Sequence, residues 1–185
     1  MKPGMCHCEG PLVWLSTKKE KSHEKRRRMK ILSVEAEDLP AILALQKAAF
    51  ESEARLVGNY EIPPMTQTLA DLEQEFAALV MLKAVMDDGE IVGSVRAKIE
   101  TATVRVGRLM VKPGFQGQGI GTRLLAAIEK ACAQSRYELF TSAKSHRNVA
   151  LYEKAGYRAF KEAEVMPGVR LVWMEKKRGF EKDKA

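Results

Sequence analysis

Hydrophobic and polar residues begin to alternate regularly at Met29, and the pattern continues along most of the remaining chain. Alternating segments rich in Val, Ile and Leu predict β-strands, because successive side chains of a strand point to opposite faces. The predicted strands are residues 30–35, 79–87, 90–100, 103–111, 137–142, 157–164 and 170–176.

Two of these strands carry further local signals. Asp88-Gly89, between the second and third strands, is typical of a two-residue hairpin turn. In the strand 103–111 the hydrophobic positions fall first at Val104 and Val106, and then at Leu109 and Val111.

Helices are predicted between the first and second strands. Asp38 is a candidate cap and Pro40 lies in the first turn of the helix that follows. Thr68 and Asp71 form a capping-box pattern that opens a second, shorter helix ending near residue 78. The hydrophobic stripe of the first helix follows the helical period of 3.6 residues. It comprises Leu39, Ile42, Leu43, Ala49 and Phe50.

Two more helices are predicted in the second half of the chain, over residues 119–134 and 148–155. Gly156 stands where a helix commonly ends in a left-handed residue. Pro63 and Pro64 lie between the first two helices and predict an irregular segment there. The predicted order of elements is therefore β-α-α-β-β-β-α-β-α-β-β.

Charge divides the chain into two unequal parts. Residues 1–28 contain eight Lys/Arg and three Glu, a net charge of +5, so the rest carries only +2 of the total of +7. We predict a flexible basic N-terminal extension over 1–28 and a single domain over 29–185. The basic pI reflects the extension and does not indicate a nucleic-acid surface on the domain. No apolar stretch is long enough for a transmembrane helix, so a cytoplasmic protein is expected.

The three cysteines do not suggest a disulfide framework. Cys6 and Cys8 are too close in sequence to bridge easily, and Cys132 falls on a predicted core face of a helix. Cys6-His7-Cys8 does not have the spacing of a structural zinc site. Reduced cysteines and no bound metal are therefore expected.

The segment 109–125 carries the most specific chemical signal. It is a predicted strand, a turn at Pro113-Gly114, and then glycines at alternate positions (Gly117, Gly119, Gly121) that lead into an amphipathic helix. Backbone N–H groups at a helix start lack partners and favour an anion. A Walker A loop is excluded because no lysine follows the glycines, and the third glycine of a dinucleotide fingerprint is also missing.

The chain resembles the GNAT superfamily of N-acetyltransferases in two motifs. The first is Val111-Lys112-Pro113 followed by Gln116-Gly117-Gln118-Gly119-Ile120-Gly121, which resembles the family's acetyl-CoA motif. The second, residues 148–157, resembles its Asn…Ala…Tyr-Glu-Lys-x-Gly-Phe segment. The resemblance implies an α+β sandwich-like fold. Its mixed sheet would have about seven strands flanked by about four helices, and would splay between the fourth and fifth strands.

The resemblance also implies a binding site for acetyl-CoA, the acyl donor. The pantetheine arm would pair with backbone groups of Leu109 and Val111 in the splayed gap, and the amides of residues 116–121 would hold the pyrophosphate. Asn148 would contact the arm and Tyr152 would protonate the departing thiolate; the alternative is that Tyr152 only packs against the sheet. The implied cofactor residues are Leu109, Met110, Val111, Gln116, Gly117, Gln118, Gly119, Ile120, Gly121, Thr122, Asn148 and Tyr152.

The acceptor is less clearly marked than the donor. Glu53, Tyr60 and Glu61 are candidate substrate-binding residues, since Tyr60 with Glu61 could hold a cationic amine, but a rigid Pro-Pro loop is an equal alternative. Glu51, Glu53, Glu61 and His146 are each weak candidates for the general base. Arg108 stands near a strand position where relatives of the family often carry an acid.

The sequence thus predicts an N-acetyltransferase that acts on an amine of a small molecule or peptide. The acceptor could be a peptide N-terminus, a lysine side chain, a polyamine or an amino sugar. One alternative is a catalytically silent acetyl-CoA sensor of the same fold, and another is a nucleic-acid-binding protein that uses the basic extension. A homodimer is also compatible with the predicted C-terminal hairpin.

Overall fold

The computed structural model describes residues 28–178 as strands, helices and their connections. The predicted extension 1–28 therefore lies outside the described residues, except for Arg28. All seven predicted strands are present within about two residues of their predicted bounds. They are β1 (Met29–Ser33), β2 (Val80–Met86), β3 (Ile91–Glu100), β4 (Thr103–Val111), β5 (Arg136–Ser142), β6 (Arg158–Met166) and β7 (Val169–Lys177).

The four predicted helices are also present, together with a single-turn helix that the sequence did not predict. In chain order the helices are α1 (Leu39–Val57), α2 (Pro63–Thr66), α3 (Leu69–Phe76), α4 (Ile120–Ala131) and α5 (His146–Lys154). The capping box at the start of α3 is confirmed, because the Thr68 hydroxyl accepts from the Asp71 N–H and the Asp71 carboxylate accepts from the Thr68 N–H.

The strands form one seven-stranded sheet in the order β1-β2-β3-β4-β5-β7-β6. All neighbours pair antiparallel except β4 and β5, which are parallel, so the sheet is mixed as predicted. The β4–β5 ladder joins only Thr103–Arg105 to residues 136–138. Beyond this point β4 remains paired with β3 and β5 with β7, which confirms the splay between the fourth and fifth strands.

A β-bulge interrupts β4 where the splay opens. The β3–β4 ladder pairs Ser94 with Met110 and Arg96 with Gly107, so that Val95 faces two residues of β4. A bulge of this kind bends its strand and redirects side chains. The two residues opposite Val95 are Arg108 and Leu109.

The bulge changes which residues of β4 face α4: even-numbered residues before the bulge and odd-numbered residues after it. Before it, Val104 and Val106 pack in the core cluster beneath α4. After it, Leu109 and Val111 pack against that cluster, while Met110 joins the cluster beneath α1 and α3. The shift from even to odd hydrophobic positions in the sequence is therefore the signature of the bulge.

The helices cover both faces of the sheet. On one face, α4 buries Leu124 and Ile128 completely. On the other, α1 buries Leu39 and Ile42, while the remaining members of its predicted stripe are partly buried against the same cluster. This two-sided burial makes hydrophobic area the main source of stability.

Two local predictions were wrong. Pro63 and Pro64 were expected to prevent a helix, but they occupy the first turn of α2, where the missing proline N–H is tolerated. The β2–β3 hairpin was expected to have a two-residue turn, but its loop spans residues 87–89. Gly89 N–H donates to the Met86 carbonyl at 2.9 Å, and Met86 N–H donates to the Glu90 carbonyl.

A buried ion pair ties α4 to β7. Lys176 Nζ lies 2.7 Å from Glu129 Oε2, and the Glu129 side chain is 7% exposed. The ammonium also lies over the ring of Tyr157 at 5.7 Å. The interaction places one charge pair in an otherwise apolar layer.

Candidate functional site

The gap between β4 and β5 opens into a first cavity of about 680 Å³. Residues from α1, the end of β4, the start of α4 and α5 line it, so the cavity passes from one face of the sheet to the other. Leu109, Met110 and Val111 form its β4 wall, and this stretch has no pairing to β5. Unpaired backbone groups on a strand edge can bind an extended ligand.

Glycines shape the start of α4 at one end of this cavity. Gly117 has φ 81° and Gly119, the N-cap, has φ 77°, both in the left-handed region that favours glycine. No side chain caps the helix at Gly119, so the first N–H groups of α4 face the cavity without a helical partner. The arrangement suits an anion.

Gln116 connects this loop to α5. Its Oε1 accepts from Arg147 Nη1 at 2.6 Å, while its Nε2 donates to the Val111 carbonyl at 3.3 Å. Arg147 and Lys154 both line the first cavity and were not singled out from the sequence. Their spacing of seven residues, two turns of one helix face, is the signal that could have identified them.

Asn148 lies where α5 meets α1. Its Nδ2 donates to Glu53 Oε1 at 2.9 Å and approaches Thr141 Oγ1 at 3.4 Å. Ser145 Oγ donates to the same Glu53 oxygen at 2.7 Å. The Glu53 carboxylate is thus held in place by two donors and half-buried at the boundary of the cavities.

Tyr152 follows Asn148 by one helical turn and lines the same cavity. The side chain is 8% exposed, and its ring meets that of Tyr157 edge-on at 6.0 Å. Burial, together with the negative charge of Glu53, raises the pKa of the Tyr152 hydroxyl. The phenol therefore remains protonated at neutral pH and has a proton to donate.

A second cavity of about 530 Å³ adjoins the first. Its walls come from α1, α2, β4, β5 and the β6–β7 hairpin, and most of its lining side chains are apolar. Phe50, Glu53, Leu109, Asn148 and Tyr152 line both cavities. The shared residues mark the place where ligands of the two cavities would meet.

Two arginines enter the second cavity from β3 and β4. Arg96 pairs with Glu75 at 2.8 Å. Arg108, at the bulge, has φ 48° and has no ion-pair partner among residues 28–178. Burial and the nearby Arg96 cation lower the pKa of Arg108 to about 10, which leaves it charged at neutral pH.

The structure separates the three predicted substrate-binding residues. Glu53 lines both cavities. Tyr60 is 50% exposed and Glu61 is also exposed, and neither lines the first or the second cavity. Of the other weak base candidates, Glu51 is exposed and pairs with Arg55, and His146 is exposed outside both cavities.

The predicted cofactor residues come together around the first cavity, with one exception. Gln118 is exposed, does not line the cavity, and contacts the Gly114 carbonyl at 3.4 Å. Within residues 28–178, no group of three His, Cys, Asp or Glu side chains is arranged to hold a metal ion. No helix in this part of the chain is long and apolar enough to cross a membrane.

The chain belongs to the GNAT acetyltransferase family, because residues 52–178 match the family model described as an acetyltransferase (GNAT) domain. Membership supports acetyl transfer as the general activity. No curated protein sequence matches the chain.

Solved structures share the fold at low sequence identity. PaiA N-acetyltransferase from Thermoplasma acidophilum, in complex with coenzyme A, has a TM-score of 0.69 at 19% identity, covering 82% of this chain and 99% of its own. The ribosomal-protein-S18-alanine N-acetyltransferase from Escherichia coli has a TM-score of 0.66 at 18% identity, covering 85% and 99%. A spermidine N-acetyltransferase SpeG chimera from Vibrio cholerae and hSSAT has a TM-score of 0.64 at 17% identity, covering 80% and 95%. Because these acceptors differ, the fold does not select one.

Proposed function

We propose that this protein transfers the acetyl group of acetyl-CoA to the amine of a small molecule. The observation that carries the proposal is that the two cavities share the lining residues Glu53, Asn148 and Tyr152. One cavity has the backbone edge and helix start that suit a phosphorylated, extended donor. The other leads an acceptor to the same point.

The donor is held mainly by the backbone. The unpaired edge of β4 at residues 109–111 supports hydrogen bonding to the pantetheine arm, and the start of α4 at residues 116–122 supports binding of the pyrophosphate. Arg147 and Lys154 add two cations on the same side of the first cavity. Charge-assisted contacts to phosphate strengthen such binding.

The transfer is a direct nucleophilic attack. The neutral amine nitrogen attacks the thioester carbonyl carbon, the C–N bond forms, and the C–S bond breaks. A backbone N–H of the β4 edge stabilises the negative oxygen, as in an oxyanion hole. Glu53 takes the proton that the incoming ammonium must lose. Tyr152 gives a proton to the departing sulfur, and the phenolate so formed takes back the second proton that the nitrogen loses as the amide forms.

The test is a CoA-release assay over amine classes, combined with a measured dissociation constant for CoA. Tyr152→Phe should lower kcat by about 100-fold while leaving CoA affinity nearly unchanged, because the variant removes only the proton donor. Tyr157→Phe is the matched control, since Tyr157 is buried beside Tyr152 but lines neither cavity.

Two outcomes would contradict the proposal. If the protein binds CoA but releases none from acetyl-CoA with any class of amine, the result would favour a sensor. Equal kcat for Tyr152→Phe and the unmodified protein would remove Tyr152 from the mechanism and leave it as a packing residue.

The cytoplasmic location, the homodimer and the domain bounds 29–185 stay predictions.

A further inference from the structure

The second cavity combines an apolar wall with an unpaired positive charge. Its lining includes Ile62, Phe140, Val165 and Leu171, which supply hydrophobic surface from four different elements or loops. Arg108 enters this surface from the bulge of β4. A small apolar cavity with a few charged groups is the usual form of a site for a small ligand.

The guanidinium of Arg108 has no ion-pair partner among residues 28–178, and the Glu75 carboxylate acts on it only from beyond ion-pair distance. Its neighbour Arg96 is balanced by Glu75 at 2.8 Å. Arg108 Nε is buried without a hydrogen-bond partner among residues 28–178, and no carboxylate of these residues pairs with the guanidinium. Burial of an unpaired charge is costly. A ligand that brings an acidic group to Arg108 would therefore bind favourably.

Neither of the nearby groups supplies that partner. The Phe50 ring lies 5.7 Å from the guanidinium carbon, and an aromatic face attracts a cation but offers Nε no hydrogen-bond acceptor. Glu53 lines the same cavity, but neither of its carboxylate oxygens lies within ion-pair distance of the guanidinium. The guanidinium is left available to a ligand.

The backbone at Arg108 is held in an unfavourable conformation. Its φ of 48° is rare for a residue other than glycine. Strain of this kind is retained where the surrounding structure imposes it, and it clusters at ligand sites. The bulge thus directs a cationic side chain into the cavity at a cost to the strand.

We infer that the acceptor is a small amine that also carries an acidic group, such as a carboxylate, and an apolar body. The inference rests on the proposed acetyl transfer. Arg108 binds the acidic group through its planar fork, which matches a carboxylate. Glu53, at the boundary with the first cavity, receives the amine. A polyamine is disfavoured, because it would bring only positive charge to a cavity that already holds two arginines.

The experiment compares acceptors matched except for the acidic group, with kcat/KM expressed per concentration of neutral amine, because the amide also lowers the pKa of the neighbouring amine. Leucine with leucinamide, and 4-aminobutanoate with 4-aminobutanamide, keep the amine and remove the negative charge. We expect kcat/KM to be about 10- to 100-fold higher for the acid of the preferred pair. Dissociation constants for each acid and amide, measured by calorimetry with CoA present, give a second readout that does not require turnover.

Variants of Arg108 test the assignment directly. Arg108→Gln should reduce kcat/KM and affinity for the acid to about the level of the amide, and should lower the amide values far less than the acid values. Arg105→Gln is the matched control, because Arg105 lies on the same strand but is exposed and pairs with Glu100 at 2.6 Å. Arg108→Lys keeps the charge and provides a second variant if the glutamine variant does not fold.

The outcomes separate this inference from the proposed function. Turnover of amides or spermidine at rates equal to or above those of the acids would overturn the inference and leave acetyl transfer intact. Equal loss for acid and amide in Arg108→Gln would also overturn it. Acid-specific binding that depends on Arg108, with no CoA release from any amine, would contradict the proposed function while keeping Arg108 as the binding group for an acidic ligand.

Discussion

Glu53 Oε1 and Asn148 Nδ2 lie 2.9 Å apart, and this contact joins α1 to α5 across the opening between the two cavities. The residues are far apart in sequence, yet both line both cavities. A carboxylate fixed by donors on one oxygen keeps its other oxygen available to a ligand. The contact therefore places a negative charge where an incoming amine would pass.

Replacement of Glu53 by Gln should remove the negative charge and keep the hydrogen bonds that join α1 to α5. The amide oxygen can still accept from Asn148 and Ser145, so the fold and CoA affinity should be preserved. We expect kcat/KM to fall by about 100-fold at pH 7. The defect should shrink as the pH rises, because a larger fraction of the amine is then neutral without a base.

Glu51→Gln is the control for this experiment, since Glu51 lies on the same helix but is exposed and paired with Arg55. A full pH–rate profile for each variant gives the measurement. A pH-independent defect in Glu53→Gln would indicate that the residue only positions Asn148.

Gly119 should tolerate no side chain without loss of CoA affinity. An added Cβ would meet no protein atom within 4 Å and would project into open space where the residue lines the cavity. The φ of 77° adds strain of about 1–2 kcal/mol for alanine. We expect Gly119→Ala to weaken CoA binding by about tenfold, measured by calorimetry.

Gly168→Ala provides the matched comparison for Gly119→Ala. Its φ of 76° imposes similar strain in the β6–β7 turn, where an added Cβ also meets no atom within 4 Å. This variant should lose stability but not CoA affinity. Equal weakening of CoA binding in both variants would show that strain alone, and not the position of Gly119, is responsible.

Arg147 should contribute to donor affinity in a salt-dependent way. An exposed cation beside a phosphate is screened by salt, so the loss in Arg147→Ala should be largest at low ionic strength. We expect CoA binding to weaken by about tenfold there, from the loss of charge-assisted hydrogen bonds. Lys144→Ala removes an exposed charge just before α5, outside both cavities, and should have little effect.

The Glu129–Lys176 pair should be sensitive to loss of one partner. Lys176→Met would leave a buried carboxylate unpaired, which should lower the free energy of unfolding by about 2–4 kcal/mol. This range is below that of a fully buried pair because Lys176 is partly exposed. Denaturant unfolding measures the change. The double variant with Glu129→Leu should recover much of the loss, and no recovery would point to packing in place of charge.

The capping box of α3 predicts a pH-dependent contribution to stability. Hydrogen bonds from Thr68 lower the pKa of Asp71 below its usual 3.8. A depressed acid pKa stabilises the fold above the unfolded value, and the contribution is lost as pH falls through the folded value. Thr68→Val should therefore lower the free energy of unfolding at pH 7, because the cap and its hydrogen bonds to Asp71 are lost. Thermal unfolding should show a difference between variant and unmodified protein that shrinks as the pH falls below 3.8.

Strands and long helices were predictable because their signals are local. Alternation in 103–111 and the cap at Thr68 depend on residues only a few positions apart. Even the bulge left a local trace in the shift from Val104 and Val106 to Leu109 and Val111. The start of α2 was missed because proline disfavours a helix interior but not its first turn.

The acceptor side of the site could not be predicted in the same way. The environment of Arg108 is set by Phe50 on α1 and by Arg96 on β3, and no spacing along the chain encodes these contacts. Tyr60 and Glu61 are adjacent in sequence, but their exposure is set by the path of the chain between α1 and α2, which no local pattern indicates. Local patterns therefore indicated the donor site much better than the acceptor site.

The additional residue in β4 makes strand length a functional variable. Deletion of Arg108 would restore continuous pairing with β3 and would leave the other side chains of β4 on their present faces, because Val104, Val106, Leu109 and Val111 already share one face. Leu109 and Val111 would stay in the core beneath α4, and no residue would be left to enter the second cavity as Arg108 does. Substitution or removal of this one residue can therefore alter acceptor choice while the donor edge stays in place.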